Sequence, residues 1–170
     1  KRSGYGEYCA CFNPLAPRLE RWQAKRNEAD GELGLLLDLL LLGKEVSLKA
    51  ATATLGTMIE DLLETGIFKR NGEATVATRG LSLLPVLGHW LFFQTPSANP
   101  VLYFGDDSLG LLMRLRPERN GECLDLCAGP GIQSLQCSGF AKKVTSVEIN
   151  SVAVGLARLN IIMNGRENSM

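Results

Sequence analysis

The sequence has no excess of either charge, and only 6% of its residues are aromatic. Its 170 residues include 18 Lys and Arg and 18 Asp and Glu, so the formal net charge at neutral pH is zero. A strongly basic surface attracts nucleic acid, and a strongly acidic tail attracts basic partners. The balanced charge therefore weakens, without excluding, an interpretation based on nucleic-acid binding.

Long apolar runs are also lacking. The leucine-rich stretch 35–42 is interrupted by Asp38 and is far shorter than the roughly 20 apolar residues that a membrane span requires. The first residues show no signal-peptide pattern. Because the chain starts with Lys1 rather than Met, we expect it to be a piece of a longer protein, and we expect no membrane segment.

Patterns typical of metal sites and disulfide frameworks are lacking as well. The single histidine, His89, has no partner at metal-ligand spacing. An odd number of scattered cysteines is typical of reduced thiols inside cells. We therefore expect no metal site, no disulfide and a cytoplasmic location. The cysteines are Cys9, Cys11, Cys123, Cys127 and Cys137.

What is present divides the chain into four segments. The first is helical, the second is a small α+β domain, the third is a linker with a lead-in helix, and the fourth begins an α/β domain. Their ranges are 1–30, 31–95, 96–119 and 120–170.

The second segment combines three helical patterns with a hairpin signal. Asn71 and Gly72 lie between two short strand-like runs, which is a strong indication of a tight turn. Three helices followed by a hairpin predict a winged-helix-like domain. Its third helix, residues 58–64, is acidic, whereas a helix that reads DNA is basic. We therefore expect a docking role rather than direct DNA reading.

The fourth segment alternates strands with helices. Residues 122–126 and 143–149 are predicted strands, and each is followed by a helical pattern. Strands joined by helical crossovers form a parallel sheet, and ligands gather outside the carboxyl ends of its strands. These ends carry Asp125 and Glu148, so we expect both carboxylates at one binding site.

The first of these strands leads into a glycine-rich turn. Gly129 and Gly131 allow a tight turn and let the backbone approach a ligand without a Cβ in the way. Backbone N–H groups at the start of the next helix can hold a carboxylate, and Asp125 can offset an ammonium group. A carboxylate and an ammonium form the methionine end of S-adenosyl-L-methionine (SAM).

The end of the second strand suits the other half of the same molecule. Glu148 can accept both hydroxyls of a ribose, Ile149 can lie against an adenine face, and Asn150 can add a polar contact. NAD is the rival ligand, but its fingerprint requires a third glycine where this chain has Ser134. The pattern therefore favours SAM over NAD, with a glycine turn that binds nothing as the remaining alternative.

Residues 125–131 and 148–150 resemble motifs I and II of class I SAM-dependent methyltransferases. Residues 103–109 resemble the segment before motif I in the "methyltransferase small" group, which includes release-factor glutamine methyltransferases and N-methyltransferases of adenine or guanine in nucleic acid. The resemblance implies an incomplete Rossmann-like methyltransferase sheet behind a winged-helix-like domain. It also implies that SAM contacts come from Phe104, Asp107, Ser108, Asp125, Cys127, Ala128, Gly129, Gly131, Glu148, Ile149 and Asn150.

The resemblance assigns no catalytic residue. The group's Asn-Pro-Pro-aromatic motif, which holds the acceptor nitrogen, does not occur in this sequence. We therefore expect the chain alone to bind SAM weakly or not at all and to transfer no methyl group. The acceptor stays open between a protein, a nucleic acid and a small molecule.

Two other interpretations remain. The chain could be a non-catalytic module that docks a protein or nucleic acid through its winged helix and carries a vestigial or incomplete SAM site. It could also self-associate, because an incomplete sheet exposes a strand edge that can pair with another copy.

Overall fold

A computed structural model describes residues 3–9, 19–97, 100–102, 104–116 and 118–167. The chain divides into two compact units. The first consists mainly of Pro17–Leu84, and the second mainly of Pro85–Phe93 and Asn99–Met170. Residues 85–93, which the sequence places in the 31–95 domain, thus belong to the second unit.

The first unit combines helices with a small antiparallel sheet. Strand β1 lies between the third and fourth helices, and the strand order is β1-β3-β2. Val46 of β1 faces Val76 of β3, and Phe68 of β2 faces Thr78 of β3. The elements are α1 (Tyr5–Cys9), α2 (Leu19–Arg26), α3 (Gly31–Leu36) with a π-helical continuation (Leu37–Leu41), β1 (Val46–Ser47), α4 (Leu48–Leu55), α5 (Met58–Glu64), β2 (Phe68–Asn71) and β3 (Thr75–Thr78).

Apolar side chains spaced along these elements form the core of the first unit. Each fully buried Leu or Phe side chain stabilises the fold by about 1.5–3 kcal/mol relative to leaving it in water. The largest of the completely buried side chains in these elements are Leu37, Leu39, Leu41, Ile59, Phe68 and Val76.

Local sequence signals explain the ends of α4. The Ser47 hydroxyl accepts a hydrogen bond from the Ala50 N–H at 3.4 Å, which caps the first turn. Gly56, with φ of 63°, follows the last turn. Thr57 precedes α5 but makes no capping bond through its side chain, because its own backbone is already helical.

Two strands, β4 (Leu81–Val86) and β5 (His89–Gln94), form a two-stranded sheet, and the division between the units falls within them. No helix among the described residues is both long enough and apolar enough to cross a membrane.

The second unit contains the α/β part of the chain. Strands β6 and β7 pair in parallel, with Asp125 facing Ser146 and Leu126 facing Val147. A mixed α/β fold with small sheets is therefore confirmed. Its further elements are α6 (Asp106–Arg114), β6 (Glu122–Leu126), α7 (Ile132–Cys137), β7 (Lys143–Val147) and α8 (Ser151–Met163).

Helix α6 begins earlier than the sequence pattern indicates. The first apolar residue of its buried stripe is Leu109, which favours Asp107 or Ser108 as the cap. Both residues instead lie inside the helix, whose N-cap is Gly105 and makes no side-chain capping bond. The physical reason is that Asp106 and Asp107 are favourable in a first turn, where the helix dipole stabilises negative charge.

The two faces of the β6–β7 sheet differ. On one face, Val144 is buried against α7. On the other, Leu124 and Leu126 are 60% and 65% exposed. Within the described part of the chain, β6 and β7 pair only with each other.

No disulfide joins the cysteines that the structure describes, which are Cys9, Cys123, Cys127 and Cys137. Cys11 lies outside the described residues, as does Tyr103 at the start of the lead-in segment.

Candidate functional site

A cavity of about 440 Å³ opens at the carboxyl ends of β6 and β7, entirely within the second unit. This volume is within the range of about 300–1,000 Å³ that small-molecule sites occupy. Nine of the eleven residues predicted to contact a ligand line it: Phe104, Asp107, Ser108, Asp125, Cys127, Ala128, Gly129, Glu148 and Asn150.

Glu148 follows β7 and is held by two main-chain donors. The N–H of Gly129 donates to its Oε2 at 2.8 Å, and the N–H of Asn150 donates to its Oε1 at 2.8 Å. The hydrogen bonds from Asn150 and Gly129 lower the pKa of the Glu148 carboxyl. The ionised group only accepts hydrogen bonds, and each oxygen retains a second lone pair for a ligand hydroxyl.

Asp125, the last but one residue of β6, is oriented by a buried serine of α7. The Ser134 hydroxyl donates to Asp125 Oδ2 at 2.6 Å and lies 2.6 Å from the Ser146 hydroxyl. Because Ser134 has one hydroxyl hydrogen, which goes to Asp125, the Ser146 hydroxyl donates to Ser134. A chain of two hydroxyls therefore fixes the carboxylate.

The glycine turn contains three residues with positive φ. Gly129 and Gly131 have φ of 54° and 82°, and Cys127 has φ of 59°. A Cβ on Gly129 would meet nothing within 4 Å, whereas one on Gly131 would lie 3.2 Å from the Cβ of Ala157 in α8. Gly129 thus borders the cavity, and Gly131 instead permits close packing of the turn on α8.

The lead-in segment closes another side of the cavity. Phe104 is buried and its ring lies 5.2 Å from that of Phe93, measured between centroids. The Ser108 carbonyl accepts a hydrogen bond from Gln133 Nε2 at 3.2 Å, which ties α6 to α7. Asp107 Oδ1 accepts the Ser108 N–H at 2.7 Å.

Two predicted residues are not part of the cavity lining, namely Gly131 and Ile149. The side chain of Ile149 is fully exposed, at 100%. Three polar residues that line the cavity or bond to its lining residues were not predicted: Gln133, which lines it, Ser134, which bonds to Asp125, and Asn160, whose Nδ2 donates to the Pro130 carbonyl. Asn160 and Ser134 are polar residues buried in helices, and a polar residue on an otherwise apolar helix face is the signal that could have found them.

The charge lining the cavity has one sign. Three carboxylates, those of Asp107, Asp125 and Glu148, line it, and no Lys, Arg or His is among its described lining residues. Such a lining attracts a cationic ligand and repels phosphates. In the part of the chain that the structure describes, no cluster of three or more His, Cys, Asp or Glu side chains could hold a metal ion.

No protein-family model and no curated protein matches the sequence. Among similar solved structures, the tRNA m1G37 methyltransferase of M. jannaschii is 28% identical with a TM-score of 0.47, over 54% of this chain and 28% of that one. A complex of Methanocaldococcus jannaschii Trm5 with adenosine gives the same values. A SAM-dependent methyltransferase from Agrobacterium tumefaciens is 21% identical with a TM-score of 0.40, over 60% of this chain and 36% of that one. This chain therefore covers between 28% and 36% of the length of these proteins.

Proposed function

We propose that the cavity at the ends of β6 and β7 binds SAM and that the chain forms part of a SAM-dependent methyltransferase. The observation that carries the proposal is the lining of three carboxylates without a described Lys, Arg or His. SAM bears a sulfonium and an ammonium, whereas NAD bears a pyrophosphate that this lining would repel.

The donor set fits the parts of SAM. The Glu148 carboxylate, held by Gly129 and Asn150, is an acceptor suited to the two hydroxyls of a ribose. The Asp125 carboxylate, fixed by Ser134, is suited to the ammonium of the methionine end. Gly129 leaves open space where a Cβ would otherwise project.

SAM supplies an activated methyl group bound to a cationic sulfur. The residues of this chain would hold and orient the molecule, because transfer of an activated group depends chiefly on positioning and electrostatics. Phe104 and the surrounding apolar lining would keep water away from one side of the cavity.

We further propose that this chain alone binds SAM only weakly and transfers no methyl group. Ile149, the residue predicted to cover adenine, is exposed and not part of the cavity lining, so one face of the base would lack a partner. The sequence contains no Asn-Pro-Pro-aromatic motif to hold an acceptor nitrogen. The methyl acceptor of the longer protein stays open between a protein, a nucleic acid and a small molecule.

The test is a pair of titrations of the chain, one with SAM and one with NAD, in which NMR spectra measure binding. We expect saturable binding of SAM and none of NAD, with the Glu148→Gln variant about tenfold weaker because one charge-assisted acceptor is lost. Glu122→Gln is the matched control, since Glu122 is exposed at the opposite end of β6. Saturable binding of NAD, or equal SAM binding by both variants, would contradict the proposal.

We propose a winged-helix-like docking role for the first unit. The strand order β1-β3-β2, with β1 between α3 and α4, supports the winged-helix topology. The acidic surface of α5 supports docking over DNA reading, since Arg70 of the hairpin donates to Glu60 of α5 at 3.0 Å and its charge is offset there.

Duplex DNA at low salt is the probe for this role, with fluorescence anisotropy as the readout. We expect no binding. Salt-sensitive binding that Lys69→Glu and Arg79→Glu abolish would favour direct DNA reading instead, because these are exposed cations of the hairpin region.

A further inference from the structure

Two asparagines of α8 bond to the backbone of β5 in the same way. The Phe92 N–H donates to Asn160 Oδ1 at 2.8 Å, and Asn160 Nδ2 donates to the Phe92 carbonyl at 2.9 Å. One helical turn later, Asn164 Oδ1 accepts the Trp90 N–H at 2.9 Å, and its Nδ2 donates to the Trp90 carbonyl at 2.7 Å. Each side-chain amide thus forms with the backbone of β5 the pair of hydrogen bonds that a neighbouring strand would form.

The repeat lengths of helix and strand explain this pairing. Four residues of an α-helix rise about 6 Å, and two residues of a strand rise about 6.6 Å. The distance along α8 between Asn160 and Asn164 therefore matches the distance along β5 between Phe92 and Trp90. If fastening α8 to β5 were their whole role, the two asparagines would be equivalent.

They are not equivalent, because only Asn160 reaches the glycine turn. Its Nδ2 also donates to the Pro130 carbonyl at 2.8 Å, and the residue is 0% exposed. Pro130 lies between Gly129, whose N–H holds Glu148, and Gly131, which packs on α8. The bond from Asn160 thus holds the turn at Pro130, between the two glycines, which are its most flexible residues.

We propose that Asn160 is a positioning residue for the ligand cavity, acting through the Pro130 carbonyl on the Gly129 N–H and hence on Glu148. The proposal rests on the proposed function, since the ligand whose binding it supports is SAM. The glycines at both ends of Pro130 admit several backbone conformations, and the Asn160 bond selects the one in which Gly129 donates to Glu148.

The experiment compares the wild-type chain with Asn160→Ala and its matched control Asn164→Ala. Both changes remove the same kind of bond pair to β5. Asn160→Ala also removes the bond to the turn, whereas Asn164→Ala also removes a bond from its Nδ2 to the Asn160 carbonyl within the helix. The readouts are urea unfolding, SAM titration and amide hydrogen exchange of residues 127–131 without ligand.

We expect both variants to unfold at lower urea. Asn160→Ala alone should weaken SAM binding by about tenfold and speed exchange in residues 127–131. Equal SAM affinity and equal exchange in the two variants would overturn the proposal. If Asn160→Ala does not fold, Asn160→Thr and Asn164→Thr replace the two variants, because threonine is uncharged and close to asparagine in volume, and its short hydroxyl cannot replace the donor to Pro130.

The exchange readout separates the two proposals. If the wild-type chain binds no SAM, the proposed function fails. Faster exchange of residues 127–131 in Asn160→Ala than in Asn164→Ala would still support the hold of Asn160 on the turn. Unchanged exchange together with SAM binding by the wild type would overturn the positioning role alone.

Discussion

The Ser134 hydroxyl donates to the Asp125 carboxylate at 2.6 Å from a position with no exposure to solvent. The same serine occupies the position where a dinucleotide fingerprint has its third glycine. Ser134 therefore departs from the NAD fingerprint and also orients Asp125, the carboxylate proposed to face the ammonium group.

We predict that Ser134→Ala lowers the free energy of unfolding by about 1–3 kcal/mol, because a buried bond to a carboxylate is lost and Ser146 loses its acceptor. SAM affinity should fall several-fold as Asp125 gains rotational freedom. Urea unfolding and NMR titration measure the two effects.

Ser138→Ala is the control for this prediction. Ser138 is also buried, and its hydroxyl donates to the Leu135 carbonyl at 2.7 Å without contacting Asp125. Its loss should cost about 1 kcal/mol of stability and leave SAM affinity unchanged. Equal affinity losses in the two variants would show that Asp125 is not the group affected.

The second prediction concerns pH. The N–H groups of Asn150 and Gly129 hold the pKa of Glu148 below its ordinary value of 4.5, so the ionised carboxylate stabilises the folded chain. A group with a depressed folded pKa contributes fully above its unfolded pKa, and the contribution disappears as the pH falls through the folded pKa. The stability difference between wild type and Glu148→Gln should therefore be constant from neutral pH to about pH 5 and shrink at more acidic pH.

Chemical denaturation across that pH range, at low salt, measures the difference. Glu122→Gln provides the baseline for replacing an exposed carboxylate of the same two-stranded sheet. A difference between wild type and Glu148→Gln that grows on acidification would mean that the two main-chain bonds do not favour the ionised form.

The third prediction separates the two glycines of the turn. Both have positive φ, which costs an alanine about 1–2 kcal/mol at either position. Gly131→Ala also places a Cβ only 3.2 Å from that of Ala157, a tight contact, and should be the less stable variant in thermal unfolding. Gly129→Ala meets no protein atom, so its methyl group should chiefly weaken SAM binding. A larger loss of stability in Gly129→Ala, together with a larger loss of SAM affinity in Gly131→Ala, would contradict the packing described for Gly131.

The sequence predicts the strand ends of the site well. Parallel topology brings the ends of β6 and β7 together whatever the details of packing, so Asp125 and Glu148 could be placed at one site in advance. The bounds of α8 and β6 follow equally well from apolar runs bordered by polar and glycine residues.

Tertiary contacts decide the rest. Whether Gly131 faces a ligand or Ala157 depends on where α8 packs, and sequence spacing does not contain that information. Asn160 contacts Phe92, which lies 68 residues earlier in the chain, so its role is invisible in local pattern. The sequence pattern places Ile149 at the end of the second strand, 143–149, but β7 ends at Val147 and Ile149 is fully exposed.

The fourth prediction uses the thiols of the second unit. Cys127 is exposed in the turn and lines the cavity, whereas Cys137 is 3% exposed at the end of α7. Burial, together with a hydrogen bond to Cys123, raises the pKa of the Cys137 thiol to about 12. Since the thiolate is the reactive form, iodoacetamide at about pH 8 should alkylate Cys127 and leave Cys137 unmodified.

Peptide mass spectrometry of the alkylated chain measures both sites at once. SAM at saturating concentration should slow the modification of Cys127, because the ligand would fill the cavity that this thiol lines. A ligand that binds elsewhere would leave the rate unchanged. Alkylation of Cys137 as fast as that of Cys127 would contradict the packing of α7 on β6, because Cys137 becomes accessible only when α7 moves away from β6. The same movement would separate Ser134 from Asp125.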